Sequence, residues 1–281
     1  MRVLVTGGSG YLGREILQRH PGAVGTVHRS EGDLRLDVRD ATAVARVIAA
    51  VGPACVIHTA YARDGAGAWE TNVEGARNVA TAAAAAGARL VHMSTDVVFG
   101  GDAGRPYVES DLPDPVTDYG RSKAAAEAAV LRAHPGAAVV RTSLIYGGET
   151  PSPIERAAMD AVDGTLEMAF FTDEIRCPVD VGDLAEAILE LACLDFSGPL
   201  HVAGADAVSR YELAQLVAAA TGRDPGLVRG ESSRTSGKTR PLDCRLACGL
   251  ARSVLATRVR GVREVLQGPS RETAQAPSAL V

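Results

Sequence analysis

The chain has 281 residues, 46% of them hydrophobic and 22% charged, with a net charge of −5 and a pI of about 5.7. Those figures suit one large globular unit, or a nucleotide-binding unit with a smaller appendage. They exclude nucleic acid as an expected partner, because no basic stripe is present.

No apolar run reaches the roughly 18 residues a membrane helix needs. The start of the chain lacks the n-region and h-region of a secretion signal, so a cytoplasmic protein is expected. The five cysteines, Cys55, Cys177, Cys193, Cys244 and Cys248, are odd in number and scattered. That argues against a disulfide framework. Cys244 and Cys248 stand one helical turn apart but lack the further ligands of a zinc site, so buried thiols are expected there and no metal.

In chain order the first half alternates. Val3–Thr6 is a short β-branched run ending in glycines, and Tyr11–Arg19 reads as a helix. Val24–His28 and Leu34–Leu36 read as strands, Ala41–Val51 as a helix and Ala54–His58 as an apolar strand. A long helix is predicted over Trp69–Ala86, ended by Gly87. Arg89–Ser94 is the next strand, Tyr119–His134 a helix stopped by Pro135-Gly136, and Ala137–Arg141 another strand. Such alternation predicts an α/β fold, a doubly wound parallel sheet of Rossmann type with helices on both faces.

After residue 148 the pattern changes. Helices are predicted over Ile154–Val162, Asp183–Leu194 and Arg210–Ala220, a short strand over Pro199–Val202, and a loop over Phe170–Pro178. Residues 1–148 are therefore expected to form a dinucleotide-binding domain, its sheet completed by later segments. Residues 149–267 are expected to be mainly a smaller substrate lobe, and 268–281, polar and patternless, a flexible tail.

The first strand runs into Thr6-Gly7-Gly8-Ser9-Gly10-Tyr11-Leu12-Gly13. Gly8, Gly10 and Gly13 fit G-x-G-x-x-G, and Gly7, Gly10 and Gly13 fit a glycine at every third residue. Glycines there permit a tight turn and let backbone N–H groups approach a pyrophosphate, which the following helix attracts with its positive end. The setting, after a strand and before a helix, is what gives the motif its weight.

NAD enzymes usually place an acid after the second strand to hold the ribose 2′-hydroxyl. Here Arg29 stands in that place, and a guanidinium suits a 2′-phosphate. The cofactor expectation is therefore NADP(H) over NAD(H). The alternative for Arg29 is a solvated surface arginine, and Glu31 is near enough to act if the turn is displaced. Asp37 either accepts from an adenine amine or caps the helix that begins near Ala41.

Tyr119-Gly120-Arg121-Ser122-Lys123 places a phenol and an ammonium at i and i+4, on one helix face. A free phenol holds its proton to about pH 10. A nearby ammonium is expected to lower that value and make Tyr119 a usable acid–base. Thr95 puts a hydroxyl at the carboxyl end of a central strand, where ligands of open α/β sheets bind. His58 and His92 are expected in the core, Trp69 in packing, and Asp173 and Glu174 on a solvated loop.

These segments resemble the extended short-chain dehydrogenase/reductases over roughly residues 1–267, and within them the dTDP-4-dehydrorhamnose reductase-like, sugar-nucleotide branch. The resemblance is carried by TGGSGYLG (6–13), STDVVFG (94–100), YGRSK (119–123), RTSLIYG (141–147) and DEIRCPVDVGDLAEAI (173–188). It implies Thr95, Tyr119 and Lys123 as a catalytic triad, with Tyr119 protonating a carbonyl oxygen as the nicotinamide delivers hydride, and Lys123 also on the nicotinamide ribose. It implies Gly7, Gly10 and Gly13 on the pyrophosphate with Tyr11 and Leu12 donating N–H groups, and Asp37 and Val38 at the adenine. Ala60 and Tyr61 would flank the nicotinamide side. Thr95, Asp96 and Arg176 would meet a small-molecule substrate, a nucleotide-linked 4-keto-deoxysugar.

Two departures stand out: the family often has asparagine at His58 and an aromatic at Val97. Asp96 is followed by Val97 rather than by a second acid, which argues against a dehydratase. The same branch holds a non-catalytic regulatory subunit of methionine adenosyltransferase, and the superfamily holds sugar-nucleotide epimerases. Both are alternative functions. Helices in this family often pair as dimers, so a homodimer is a further expectation.

Overall fold

The computed structural model describes residues 1–28, 32, 34–237 and 239–268. The first half folds as alternating strands and helices. β1 (Val3–Thr6) leads through the glycine turn to α1 (Tyr11–Arg19), then β2 (Val24–Thr26) and α2 (Ala41–Val51). Asp40 begins α2 by accepting from Ala43 N at 2.9 Å, and Gly52 ends it in the left-handed region at φ +55°. β3 (Cys55–His58) follows. A π-helical turn at Glu70–Glu74 then opens into α3 (Gly75–Ala85), and β4 (Arg89–Thr95), α4 (Asp118–Ala133) and β5 (Ala138–Thr142) complete this half.

The second half is less regular. β6 (Ile145–Tyr146) precedes α5 (Pro153–Val162), which starts with a capping box between Ser152 and Glu155. β7 (Phe170–Phe171), β8 (Ile175–Arg176) and β9 (Val179–Asp180) lead into α6 (Val181–Leu191) and β10 (Gly198–His201). β11 (Val208–Ser209), α7 (Arg210–Ala220), β12 (Gly230–Glu231), α8 (Gly249–Val254) and α9 (Val262–Gln267) end the described chain.

The central sheet has six parallel strands in the order β10-β5-β4-β3-β1-β2. The chain leaves β1 toward β2 on one side and returns to β3 on the other, so strand order reverses at β1. A ligand crevice forms at such a reversal, beyond the carboxyl ends of the strands. Gly7 follows β1 there and Thr59 follows β3.

The central strands β1, β3, β4 and β5 are buried on both faces, as a covered parallel sheet requires. Val5, Ile57, Met93, Val140 and Leu200 pack beneath α1 and α6, while Leu4, Val56, Leu90 and Val139 pack beneath α2, α3 and α4. A separate core of the second half joins Tyr146, Ile154, Phe170, Leu213 and Val262.

Four expectations change. The strand over 34–36 reduces to one parallel bridge, Val27↔Arg35, held by Val27 N to Leu34 O at 2.9 Å and Leu36 N to Val27 O at 2.8 Å. Three residues beside an already short β2 make too little ladder for more. The 69–86 helix starts with the π turn rather than a regular α turn, and Trp69 is 50% exposed instead of packed. The 170–178 loop contains β7 and β8. Of the two thiols expected to be buried, Cys244 is buried and Cys248 half-buried. Among the described residues no helix is long and apolar enough to cross a membrane.

A Cβ on Gly13 would overlap the Gly7 carbonyl oxygen and stand 2.9 Å from Gly8 Cα, all backbone that cannot yield. Gly13→Ala is therefore expected to cost about 1–3 kcal/mol, read as a lower urea midpoint, together with weaker dinucleotide binding in a fluorescence titration. Unchanged values in both would show that α1 can move off β1 freely.

Candidate active site

A cleft of roughly 500 Å³ opens at the reversal point, walled by the glycine turn, the ends of β3 and β4, the start of α4, and segments of the second half. Gly7 sits at φ +80°, and Gly10 N donates to Gly7 O at 2.9 Å, closing the turn. A Cβ on Gly7 would stand 2.7 Å from Ala60 N, so β1 and the segment after β3 touch only because Gly7 lacks one. Gly10 is the N-cap of α1 and supplies no side-chain cap. The first-turn amides at Tyr11, Leu12 and Gly13 therefore face the cleft end without a side chain in the way, a cradle that fits a pyrophosphate. Tyr11 also lines the cleft, its hydroxyl donating to Gly147 O.

Thr95 ends β4, and Tyr119 and Lys123 occupy the first turns of α4; all three line the cleft. Thr117 starts α4 by accepting from Gly120 N at 3.1 Å. Gly120 then allows contact with the segment after β4, since a Cβ there would overlap Val97 O. Tyr61 stands across from Tyr119 with ring centroids 6.0 Å apart.

The expected coupling between phenol and ammonium takes a different form. Lys123 is buried and its Nζ donates to Met93 O at 2.6 Å rather than to Tyr119. Burial lowers the Lys123 ammonium to about 8, against the pull of Glu127. The Tyr119 phenol moves up, not down: burial leads, Tyr61 and Asp96 add to it, and Arg63 opposes. The phenol is therefore held protonated.

Of the other expected residues, Tyr61 lines the cleft at 57% exposure, while Ala60 is half-buried behind it against Gly7. Asp37 pairs with Arg39 at 2.6 Å, which lowers its carboxyl to about 2, and neither Asp37 nor Val38 lines the cleft. Val38 is a core residue under α3. Asp40, not Asp37, caps α2. Arg29 and Glu31 lie outside the described residues. His58 and His92 are buried and stacked at 5.2 Å, as expected of core residues, and burial pushes His58 down to about 3.

Asp96 and Arg176 do reach the cleft. Asp96 is buried, accepts from Ser143 Oγ at 2.6 Å, and has its carboxyl raised by burial against Arg176. Arg176 commits Nη1 and Nη2 to the carbonyls of Ile175, Leu242 and Pro241 at 2.7–2.9 Å. The expectation that Glu174 lies on a solvated loop fails: it is 1% exposed. Three guanidiniums approach it, Arg240 at 3.4 Å, Arg176 at 3.5 Å and Arg210 at 3.7 Å, and all four residues line the cleft. Burial lowers Arg210 to about 10 against the pull of Glu174, with Arg176 and Arg240 adding to the drop. Asp173 is half-buried and accepts from Ser232 Oγ and Ser233 N.

Residues 1–272 match the family model described as the RmlD substrate binding domain. The chain belongs to that family. It is similar to a dTDP-4-dehydrorhamnose reductase of Mycobacterium tuberculosis, 37% identical over 243 residues that cover 83% of this chain and 79% of the relative. It is also similar to a methionine adenosyltransferase 2 subunit beta of Bos taurus, 33% identical over 276 residues, 88% and 80% of the two chains. The crystal structure of a dTDP-4-dehydrorhamnose reductase from Bacillus anthracis in complex with NADP superposes with a TM-score of 0.83 at 27% identity, covering 95% of this chain and 96% of that one. The two share the α/β fold with its parallel, Rossmann-type central sheet.

Sequence reading missed several residues. Asn72, in the π turn, accepts from Ala62 N and donates to Ala62 O, both at 2.8 Å, and donates to Ser122 Oγ at 2.9 Å. It ties the segment carrying Tyr61 to α4. A π turn often marks a functional site, but it has no sequence signature of its own. Arg210 and Arg240 are remote from Arg176 in sequence, so nothing marked them as one cluster.

Lys123 titrates near 8 in the fold and near 10.5 in a model peptide. Between those values the unfolded chain binds more protons, so the Lys123 contribution to stability rises with pH there and is flat below pH 8. Urea unfolding of the parent and of Lys123→Met should diverge across that window, by up to about 1.4 kcal/mol per pH unit. A pH-independent difference would show Lys123 to be freely solvated.

Proposed function

We propose that the chain is an NADP(H)-dependent reductase of a keto group, acting on a nucleotide-linked 4-keto-deoxysugar. The observation that carries this is the meeting of Thr95, Tyr119 and Lys123 in one cleft with an uncapped, glycine-lined helix start at its end. A nicotinamide dinucleotide, when bound, supplies the hydride. Gly7, Gly10 and Gly13 with the amides of Tyr11 and Leu12 hold its pyrophosphate. Arg29 takes the 2′-phosphate, a reading supported by its position after β2 and by the NADP complex of the Bacillus anthracis relative. Asp37, Val38, Ala60 and Tyr61 serve the adenine and nicotinamide ends.

Tyr119 begins protonated, the form a carbonyl reduction consumes. Thr95 Oγ1, which donates to Asp96 Oδ1 at 3.3 Å, can turn to donate to the substrate carbonyl. As charge develops on that oxygen, Tyr119 gives up its proton. Arg63, which already opposes the rise of the phenol, stabilises the phenolate left behind, and the Lys123 ammonium one helical turn on adds to it. Arg210 and Arg240 supply the excess positive charge that a substrate diphosphate requires, and Arg176 holds Asp96 and the 240–242 segment around it.

The likeness to a methionine adenosyltransferase subunit gives a second reading, a dinucleotide-binding subunit without turnover of its own. Absorbance of NADPH with a panel of dTDP-4-keto sugars separates the two. Turnover is expected, with Tyr119→Phe slower by about 10²–10⁴-fold in kcat. A Tyr119→Phe variant as fast as the parent would falsify the mechanism, and no turnover on any sugar favours the subunit. For the cofactor, Arg29→Ala should weaken NADPH selectively, by roughly tenfold or more for a lost charge-assisted contact. An NADPH-to-NADH affinity ratio that stays put rules out a 2′-phosphate contact.

A further inference from the structure

Glu127 lies one helical turn beyond Lys123, on the side of α4 that faces the sheet. It is 4% exposed, far from the usual place of a glutamate. Its carboxylate accepts from Ser94 Oγ at 2.5 Å and from Arg141 through Nε at 3.1 and 3.2 Å and Nη2 at 2.8 Å. Ser94 and Arg141 are register partners on β4 and β5. Lys123, one turn earlier, grips Met93 O. Two side chains of α4 thus hold two consecutive residues of β4, and the next residue is Thr95.

We propose that Glu127 is a positioning residue for the reductase reaction: its hold on Ser94 and Arg141 sets where Thr95 meets Tyr119, and its buried charge keeps the Lys123 ammonium in place. Fold stability alone is a weak account of this carboxylate. A buried ion pair pays a desolvation cost that leaves it little better than an apolar pair of the same shape. Arg141 is in addition fixed by Glu109 O at 3.2 Å and by the Phe99 ring at 5.0 Å, so the clamp cannot slide along β5.

The groups facing Lys123 give Glu127 its electrostatic part. Tyr119 shares its helix and is held neutral. From β3 and β4, His58 and His92 face it, and burial keeps both imidazoles uncharged. Arg141, on β5, is engaged by Glu127 itself. Glu127 supplies the negative charge that opposes deprotonation of Lys123. Without it the ammonium loses its proton at lower pH.

The inference rests on the reductase reading, and the variants keep the two apart. Glu127→Gln should lower kcat for keto-sugar reduction by about tenfold, with NADPH affinity unchanged, and move the alkaline limb of the kcat–pH profile down by about one unit. Ser94→Ala, which loses one hydroxyl and keeps the ion pair, should lower kcat severalfold and leave the limb where it is. If Glu127→Gln fails to fold, Glu127→Gln with Arg141→Met removes both charges together and should shift the limb the same way. A limb that does not move in a folded Glu127 variant, or a kcat untouched by Ser94→Ala, overturns the inference. If Tyr119→Phe is inactive at the same time, the reductase reading survives that result.

Discussion

Everything at the cleft depends on how closely α4 approaches the end of β4, and Gly120 decides that distance. A Cβ at 120 would overlap Val97 O and press on Pro115 and Thr117. Backbone on one side and a cap on the other leave no direction of escape. Because Gly120 carries no Cβ, the first turn of α4 can lie on the segment that follows Thr95. Tyr119 then lies at the cleft wall where Thr95 emerges. The motif Tyr-Gly-Arg-Ser-Lys is thus a packing statement as much as a chemical one. Tyr119 and Lys123 do the chemistry, Gly120 brings them to it, and Ser122 anchors them to Asn72.

Close approach also dries the interior, and dryness sets the protonation states. A covered parallel sheet is normally apolar through its middle. Here two polar rows cross it on the face under α2, α3 and α4. Thr6, His58 and His92 are partners across β1, β3 and β4, and Ser94 pairs with Arg141 two residues further on. Thr6 Oγ1 lies 2.6 Å from His58 Nδ1, while His58 Nε2 and both nitrogens of His92 have no hydrogen-bond partner among the described residues. Such groups cost free energy and stay neutral. Their neutrality matters, since a charged imidazole beside Lys123 would drive the ammonium to deprotonate. The same desolvation raises the Tyr119 phenol and lowers Lys123, so both groups favour their uncharged forms. The proton stays on the phenol until the oxygen in front of it becomes basic.

Residues whose role is local were legible in the sequence. The glycine turn, the β-branched strand before it and the Tyr–Lys spacing are all read within a dozen neighbours, and each stands where it was expected. Residues whose role is set by partners far along the chain were not. Glu174 looks like a loop acid because its immediate neighbours are polar. It is buried because Arg210 and Arg240 fold back onto it from more than thirty residues away. Leu34–Leu36 has strand composition, yet its ladder depends on a β2 only three residues long. Trp69 has the character of a packing residue, but the π turn rotates it outward, and no propensity foretells a π turn. Asp37 illustrates the middle ground. The sequence allows it an adenine contact or a helix cap, and the Asp40 cap removes only the second.

The arginine cluster shows how the two halves of the molecule divide their work. The sheet supplies fixed atoms: strand ends, a helix start and a clamped helix face. The second half supplies charge. Arg176, Arg210 and Arg240 face Glu174 and Asp96, and the ion-pair distances of 3.4–3.7 Å fall outside hydrogen-bond geometry. Burial raises the Asp96 carboxyl against the pull of Arg176. Arg210 and Arg240 are preorganised for an anion, because they are already collected at one carboxylate without being tightly hydrogen-bonded to it. Glu174 makes that arrangement tolerable in the meantime, as three clustered guanidiniums with no carboxylate among them would repel one another apart. The acid that sequence reading set aside as solvated is therefore what allows the positive face of the cleft to exist at all.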